Sequence, residues 1–213
     1  MKKRYLATNL FAVSLFLTAC STNDVAEAIE STTSVETKTE QIVDDLNAIT
    51  EQEKNLQQTF EATLSKDESL STFGDGTSSV FENVDARSAS LSELKETTAA
   101  MKEEQILLDE KMSDDLPQEE LDKLTTSIEH LTASLDDYVT HYETVLAEQA
   151  TYFTDLSKKE ATYETLTTGM ETINEQDAKT KEWLLQLDQQ LVEVQASHKT
   201  TMKSLDQLNE ASN

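Results

Sequence analysis

Few residues of this chain could carry out nucleophilic or metal chemistry. The 213-residue sequence has one cysteine, Cys20, and three histidines, His130, His141 and His198, which are well separated in sequence. Nucleophilic catalysis needs an activated nucleophile beside a base, and zinc sites need characteristic spacings such as HExxH or CxxC. The sequence contains no such pattern. We therefore predict no catalytic residue, no metal site, no cofactor and no small-molecule substrate.

Acidic residues are the other candidates for acid–base or cation chemistry. They form pairs at Asp114-Asp115 and Asp136-Asp137, and Asp75 lies between two glycines at 74–76. That Gly-Asp-Gly lacks the 12-residue ligand pattern of a calcium loop, and glycine is suited to a simple turn. Carboxylates on straight helices also lack the concave, water-excluding site that shifts a pKa toward 7. Solvated helix faces, helix ends and a turn explain these residues.

Cys20 is placed for a different reaction, the addition of a lipid. A basic start, Met1-Lys2-Lys3-Arg4, precedes an uncharged and mostly apolar run over 5–19 that ends in Leu17-Thr18-Ala19. This is a signal peptide pattern, and its end resembles a lipobox. The run is shorter than the ~20 residues of a membrane-spanning helix. We expect residues 1–19 to be removed and the lipid on Cys20 to hold the protein on the outer face of the cytoplasmic membrane.

The charge of the chain restricts its partners. Removal of residues 1–19 leaves 14 basic and 42 acidic residues, a net charge of −28. Nucleic acid or an anionic membrane surface would be repelled, so we exclude both as direct partners. Peptidoglycan and another envelope protein are the candidate partners.

Aromatic residues could contact sugars. Four of the five tyrosines lie between residues 138 and 163, at spacings that also suit a narrow helical core with wet hydroxyl groups. Trp183 is one residue out of register with Leu184, and we take Trp183 and Tyr163 as candidate contact residues.

The elements that must position these residues are helices. Three glycines and one proline are too few for the turns of a sheet protein. We predict a flexible tether over 20–40, because this segment has few hydrophobic residues. A first helix should run from about Val35 or Glu40 to Phe73 and end at the Gly-Asp-Gly turn.

Three further helices follow. The second should begin with a capping box of Ser79 and Glu82 and extend to Ser113, before Pro117. The third should run from Leu121 to Met170, with Gly169 as its C-terminal cap, because apolar residues recur there at steps of three and four. A fourth should end near Ala211, with 170–178 unassigned. The predicted fold is all-α, an elongated antiparallel bundle or coiled coil of three to four long helices over 41–210.

Together, these features resemble a known family. Besides the lipobox, the resemblance rests on Glu51-Gln52-Glu53-Lys54, Arg87, Tyr142, Lys159-Glu160, Tyr163 and Ile173-Asn174. With these residues the chain resembles the YkyA family of cell-wall-binding lipoproteins of Gram-positive bacteria. The resemblance implies a helical ectodomain outside the cytoplasmic membrane and a wall-binding role, and it implies no catalytic residues.

Three functions are consistent with this reading. We favour a non-enzymatic, membrane-anchored spacer or interaction module of the cell envelope. A wall-polymer-binding protein is the second, and a surface chaperone or adaptor that binds protein clients through apolar surface near the end of the third helix is the alternative. Open heptad seams can be closed by the chain itself or by a second copy, so the oligomeric state stays open.

Overall fold

A computed structural model describes residues 18–111, 113 and 115–212. The described chain contains five helices: α1 (Thr18–Lys66), α2 (Ser71–Gly74), α3 (Ser79–Glu110), α4 (Gln118–Asp155) and α5 (Tyr163–Ser212). No strand occurs within these residues. The predicted all-α fold is confirmed. Most of the predicted signal peptide, including Leu17, lies outside the described residues.

The four long helices form a closed antiparallel bundle. Each packs against two neighbours, in the cyclic order α1, α3, α4, α5. Lys111, just after α3, pairs with Glu27 near the start of α1, whereas Asn83 near the start of α3 donates to the Gln52 carbonyl farther along α1. These contacts run in opposite directions along the two helices. The bundle therefore has a proximal end, where α1 begins, and a distal end, where α1 finishes.

The core follows the predicted apolar stripes. In α4 the buried residues recur at steps of three and four, as expected for one helix face: Leu121, Leu124, Ile128, Leu131, Leu135, Tyr138, Tyr142, Val145 and Gln149. Burial of one such Leu or Ile side chain contributes about 1.5–3 kcal/mol. The stripe thus holds α4 against both of its neighbours along most of its length.

The segment 20–40 forms the first part of α1 and is not a flexible tether. Val25, Ala28 and Val35 are buried, and Thr32 and Thr39 occupy buried positions on the same face. Small residues at these positions let the neighbouring helices approach closely. The sequence interpretation missed this stripe because three of these five residues are Thr or Ala, which do not mark an apolar stripe as Leu or Ile would.

The long third helix is also corrected, because it is interrupted after Asp155. A turn follows in which Lys158 N–H donates to the Asp155 carbonyl and Ala161 N–H to the Lys158 carbonyl. Thr162 and Thr165 then cap α5 reciprocally, each side-chain hydroxyl accepting from the other residue's N–H. This is a capping box with Thr in the place of Glu. Residues 170–178 consequently belong to α5.

Gly169 does not end a helix. It lies within α5, where a Cβ atom would come 2.0 Å from Cε2 of Tyr152. Glycine is needed at this position because the Tyr152 ring passes directly over the α5 backbone. α4 and α5 therefore approach each other closely at the distal end.

The connection from α1 to α3 differs slightly from the prediction. α1 ends at Lys66, and α2 occupies 71–74 after Leu70, which has a positive φ of 54°. Asp67 accepts hydrogen bonds from the Thr72 N–H and hydroxyl, which hold the pKa of this carboxyl well below its usual range. The N-cap of α3 is Ser78, whose side chain accepts from Val80 N–H, and not Ser79.

Within the described residues, no helix is both long and apolar enough to cross a membrane.

Candidate functional site

A buried arginine lies at the centre of the distal half of the bundle. Arg87 is fully buried, at a core position of α3 three residues after Val84. Its Nη1 donates to the Tyr142 hydroxyl at 3.2 Å, and its Nη2 donates to Oε1 of Gln149 at 2.7 Å. Buried charges require such partners because water no longer solvates them. Both partners belong to α4, so the arginine ties α3 to α4.

Glu53 of α1 faces the same polar cluster. Burial raises the pKa of the Glu53 carboxyl, and the nearby charge of Arg87 opposes this shift. Among the described residues, no hydrogen-bond partner reaches Glu53 Oε1, Arg87 Nε, the Tyr138 hydroxyl or Thr180 Oγ1. Gln149 Nε2 donates to Oε1 of Gln176 on α5 at 3.4 Å. We define Glu53, Arg87, Tyr138, Tyr142, Gln149 and Gln176 as the polar cluster. It brings together residues of all four long helices.

The two tyrosines of the cluster are structural in character. The rings of Tyr138 and Tyr142 are fully buried and stack with centroids 5.5 Å apart. Burial raises the pKa of Tyr142 to about 12, although Arg87 lowers it in part. Both hydroxyls therefore remain protonated near neutral pH. The prediction that tyrosine rings fill a narrow core is confirmed for these two, but the prediction of wet hydroxyl groups is wrong, because both hydroxyls are buried.

A cleft opens between α1 and α5 directly beside this cluster. Its volume is about 390 Å³, and we call it the distal cleft. Its base is formed by Leu56, Phe60, Gln149, Tyr152 and Phe153. The α1 wall is formed by Thr50, Glu53, Lys54 and Gln57, and the α5 wall by Met170, Ile173, Asn174, Asp177, Lys181 and Leu184. The sequence interpretation, which expected straight rods without a concave site, is corrected by this cleft.

Both walls of the distal cleft carry charges of both signs. On α5, Lys181 Nζ lies 2.6 Å from an oxygen of Asp177. On α1, Lys54 lies 3.9 Å from a Glu51 oxygen, and Glu53 is its sequence neighbour. The four charged lining residues, two acidic and two basic, are balanced. This balance contrasts with the strongly acidic chain as a whole.

The aromatic base of the cleft is tightly packed. Phe60 and Phe153 are buried, with ring centroids 5.8 Å apart, and Phe73 packs edge-on to Phe60 at 5.9 Å. The Tyr152 hydroxyl donates to the Leu166 carbonyl at 3.1 Å, and burial raises the pKa of Tyr152 to about 12. These rings chiefly join α1, α2 and α4 at the distal end.

The two predicted contact residues do not share a site. Tyr163 is the first residue of α5 and is 80% exposed. Trp183 is half-buried and packs on His141, with ring centroids 6.4 Å apart. Twenty residues of helix separate the two, which is about 30 Å. Neither lines the distal cleft, and whether either contacts a partner stays a prediction.

The histidines do not converge either. His141 lies on α4 and packs against Trp183 of α5, and burial lowers the pKa of the His141 imidazole. His198 faces Glu36, with Nε2 3.9 Å from the carboxylate. His198 therefore belongs to the proximal half of the α1–α5 pair, well away from His141. In the described residues, no group of three or more acidic, His or Cys side chains is arranged to hold a metal ion.

The chain matches the sequence model of a protein family described as "YkyA: Putative cell-wall binding lipoprotein" over residues 21–211. The chain belongs to the YkyA family. No curated protein and no solved structure matches it significantly. The description of the YkyA family names binding to the cell wall and a lipoprotein, and it names no reaction.

The residues that carry the YkyA resemblance gather largely at the distal cleft. Glu53, Lys54, Ile173 and Asn174 line it, and Arg87 is hydrogen-bonded to Tyr142 in the adjacent cluster. Glu51 and Gln52 precede Glu53 on α1 without lining the cleft, and Lys159, Glu160 and Tyr163 lie at the turn before α5 and the start of that helix. Six of the quoted residues, from four different helices, therefore lie in one region.

The sequence carries a signal for this site. Glu53, Gln149, Asp177 and Thr180 each interrupt an otherwise apolar stripe, and Arg87 occupies the matching position in the second helix. Antiparallel packing brings these interruptions to one level of the bundle. Polar residues at the same level of several seams therefore indicated a shared polar site.

Proposed function

We propose that this protein is a lipid-anchored, non-enzymatic binding protein of the cell envelope, which contacts the cell wall through the distal cleft. The observation that carries the proposal is the position of the cleft relative to Cys20. Cys20 lies near the start of α1 and Glu53 lies 33 residues later in the same helix, a rise of about 50 Å. A lipid on Cys20 would place the cleft well away from the membrane surface, toward the wall.

The chemistry of the site supports binding more than catalysis. The polar cluster consists of a buried arginine, tyrosines that stay protonated, and a carboxyl whose pKa is raised by burial. The histidines that could act as general bases lie outside it. Hydrogen bonds from Arg87 to Tyr142 and Gln149 join neighbouring helices and stiffen the base of the cleft. A rigid, pre-formed cleft is what recognition of a ligand requires.

Electrostatics favours peptidoglycan over the anionic polymers of the wall. A net charge of −28 after removal of residues 1–19 repels phosphate-rich teichoic acids over distances of about one Debye length, ~8–10 Å at moderate salt. Peptidoglycan carries amines as well as carboxylates and is repelled less. We therefore expect binding that does not require teichoic acid.

The chaperone or adaptor alternative has less structural support than wall binding. It depended on apolar surface left uncovered near the end of the predicted third helix. In the structure Leu156 is buried and Leu166 is half-buried against the core. Tyr163 and Met170 are exposed, so part of this surface stays open to solvent.

Retention on purified sacculi tests the proposal. The mature chain, with Cys20→Ser to make it soluble, is incubated with sacculi before and after chemical removal of teichoic acid. We expect retention in both cases and unchanged or stronger retention after the removal. A chain that stays in the supernatant with both preparations contradicts wall binding.

The anchor is tested separately by metabolic labelling with a radioactive fatty acid, which should label the wild type but not Cys20→Ser.

A further inference from the structure

We infer that the distal cleft binds a short peptide that carries both a free carboxylate and a primary amine, and that it binds the peptide part of the wall polymer and not its sugar strand. This inference rests on the proposed wall-binding function and adds the chemical class of the ligand.

The charges on the cleft walls support a ligand with both signs. Lys54 and Lys181 can receive a carboxylate, and Glu53 and Asp177 can receive an ammonium group. Because each lysine lies on a different wall, together with an acidic residue, a ligand that spans the cleft meets both charges at each side. A neutral sugar would bring no opposite charge to these four groups, and a polyanion would oppose the two acidic ones.

The aromatic base argues against sugar binding. Sugar rings stack on an aromatic face that is open to solvent. Phe60 and Phe153 are 7% and 1% exposed, respectively, and pack against each other. Tyr152 is held down by its hydrogen bond to the Leu166 carbonyl. The phenylalanine rings of the base therefore have little open face for a sugar to stack on, and the mostly apolar base suits methyl groups and aliphatic side chains better.

The size and the polar groups of the cleft fit a short peptide. A volume of about 390 Å³ falls at the lower end of the range for small-ligand sites. Asn174 on the α5 wall carries an amide, which can donate to a peptide carbonyl and accept from a peptide N–H. A peptide of a few residues with small side chains could thus lie along the cleft between the charged walls.

Three wall preparations test the ligand class. The mature Cys20→Ser chain is incubated with intact sacculi, with sacculi whose free amines have been acetylated, and with sugar strands from which an amidase has removed the peptides. We expect retention on intact sacculi, clear loss after acetylation and no retention on the stripped strands. The peptides released by the amidase should displace the bound protein. Retention on peptide-free strands would overturn the inference and leave wall binding intact, whereas no retention on any preparation would refute the proposed function as well.

Charge variants locate the binding to the cleft. Asp177→Asn and Lys181→Gln should each weaken the affinity for the released peptides roughly three- to tenfold, because each removes one charged contact. Glu119 and Lys123 provide a matched control, since they form an exposed pair at the same i,i+4 spacing and the same 2.6 Å distance on α4. Glu119→Gln and Lys123→Gln should change the affinity less than about twofold. Equal affinities for the cleft and control variants, measured by titration calorimetry, would place the peptide elsewhere on the protein.

Discussion

Replacement of Arg87 by Met should destabilise the bundle, because Arg87 is the only buried cation hydrogen-bonded to α4 among the described residues. Methionine keeps much of the length and flexibility of the side chain, so the change removes mainly the guanidinium. Gln149 Oε1 loses a hydrogen bond of 2.7 Å, and the Tyr142 hydroxyl loses one of 3.2 Å. Glu53 also loses the nearby positive charge that favours its ionised form.

The expected loss follows from two opposing contributions. Hydrogen bonds to a charged group contribute roughly 1.5–3 kcal/mol each, and their removal leaves buried acceptors without partners. Burial of the guanidinium itself is unfavourable, so its removal recovers part of this loss. We expect a net decrease of about 2–4 kcal/mol in the free energy of unfolding, or a decrease of roughly 5–15 °C in Tm for a chain of this size.

Urea denaturation followed by circular dichroism measures this loss, with Lys95→Met as the control. Lys95 lies on the same helix but pairs with Glu143 at the surface, so its replacement should change stability by less than about 0.5 kcal/mol. The double variant Arg87→Met, Gln149→Leu should be more stable than the sum of the two single changes predicts, because no orphaned acceptor remains at residue 149. A loss below about 0.5 kcal/mol for Arg87→Met, or strict additivity in the cycle, would refute the proposed role of the cluster.

Three further predictions concern packing, pH and the start of α1. Gly169→Ala should destabilise the fold by about 1–3 kcal/mol in urea titrations and displace the Tyr152 ring, visible as a change in near-UV circular dichroism, since the new methyl group would overlap that ring. The pKa of Glu53 is raised in the folded state, so the folded protein binds the Glu53 proton more tightly than the unfolded chain does. The contribution of Glu53 to stability should therefore be largest below about pH 4 and should decline as the pH rises through the folded pKa. Glu53→Gln should lack this decline when stability is measured against pH. Val35→Asp should cost about 3 kcal/mol or more, because it buries a charge at a fully buried position of α1, and amides near residue 35 should exchange with deuterium much faster in the variant than in the wild type. Equal exchange in the two proteins would instead support a loose segment.

The sequence was sufficient for the fold class because heptad spacing is a strong and repeated signal. The stripe from Leu121 to Gln149 is buried along its whole length as predicted, and the second helix was placed to within three residues at its C-terminal end. The failures have two physical causes. Small residues such as Ala28 and Thr32 can fill a core position without looking hydrophobic. A turn stabilised by backbone hydrogen bonds and threonine caps can also interrupt a stripe without any Gly or Pro.

The distal cleft was harder to predict than the fold. Its walls come from helices more than 100 residues apart in sequence, such as those that carry Glu53 and Lys181. Whether two helices close together or leave a gap depends on side-chain volumes along both of them, which a one-dimensional pattern does not record. The resemblance to the YkyA family did point to Glu53, Arg87 and Asn174, but only the packing of the helices shows that these residues meet.

The early start of α1 bears on how far the protein can reach. Cys20 is only two residues after the first residue of a 49-residue helix. A disordered linker of 20 residues would have a root-mean-square end-to-end distance of about 25 Å. It would let the helical bundle approach the membrane surface at times. The diacylglyceryl group that we propose on Cys20 would instead be joined almost directly to a helix, so it would set one distance from the membrane, with tilt as the main remaining freedom. Such a protein would sample a thin shell of the envelope, and only polymer strands that enter that shell would meet the binding surface.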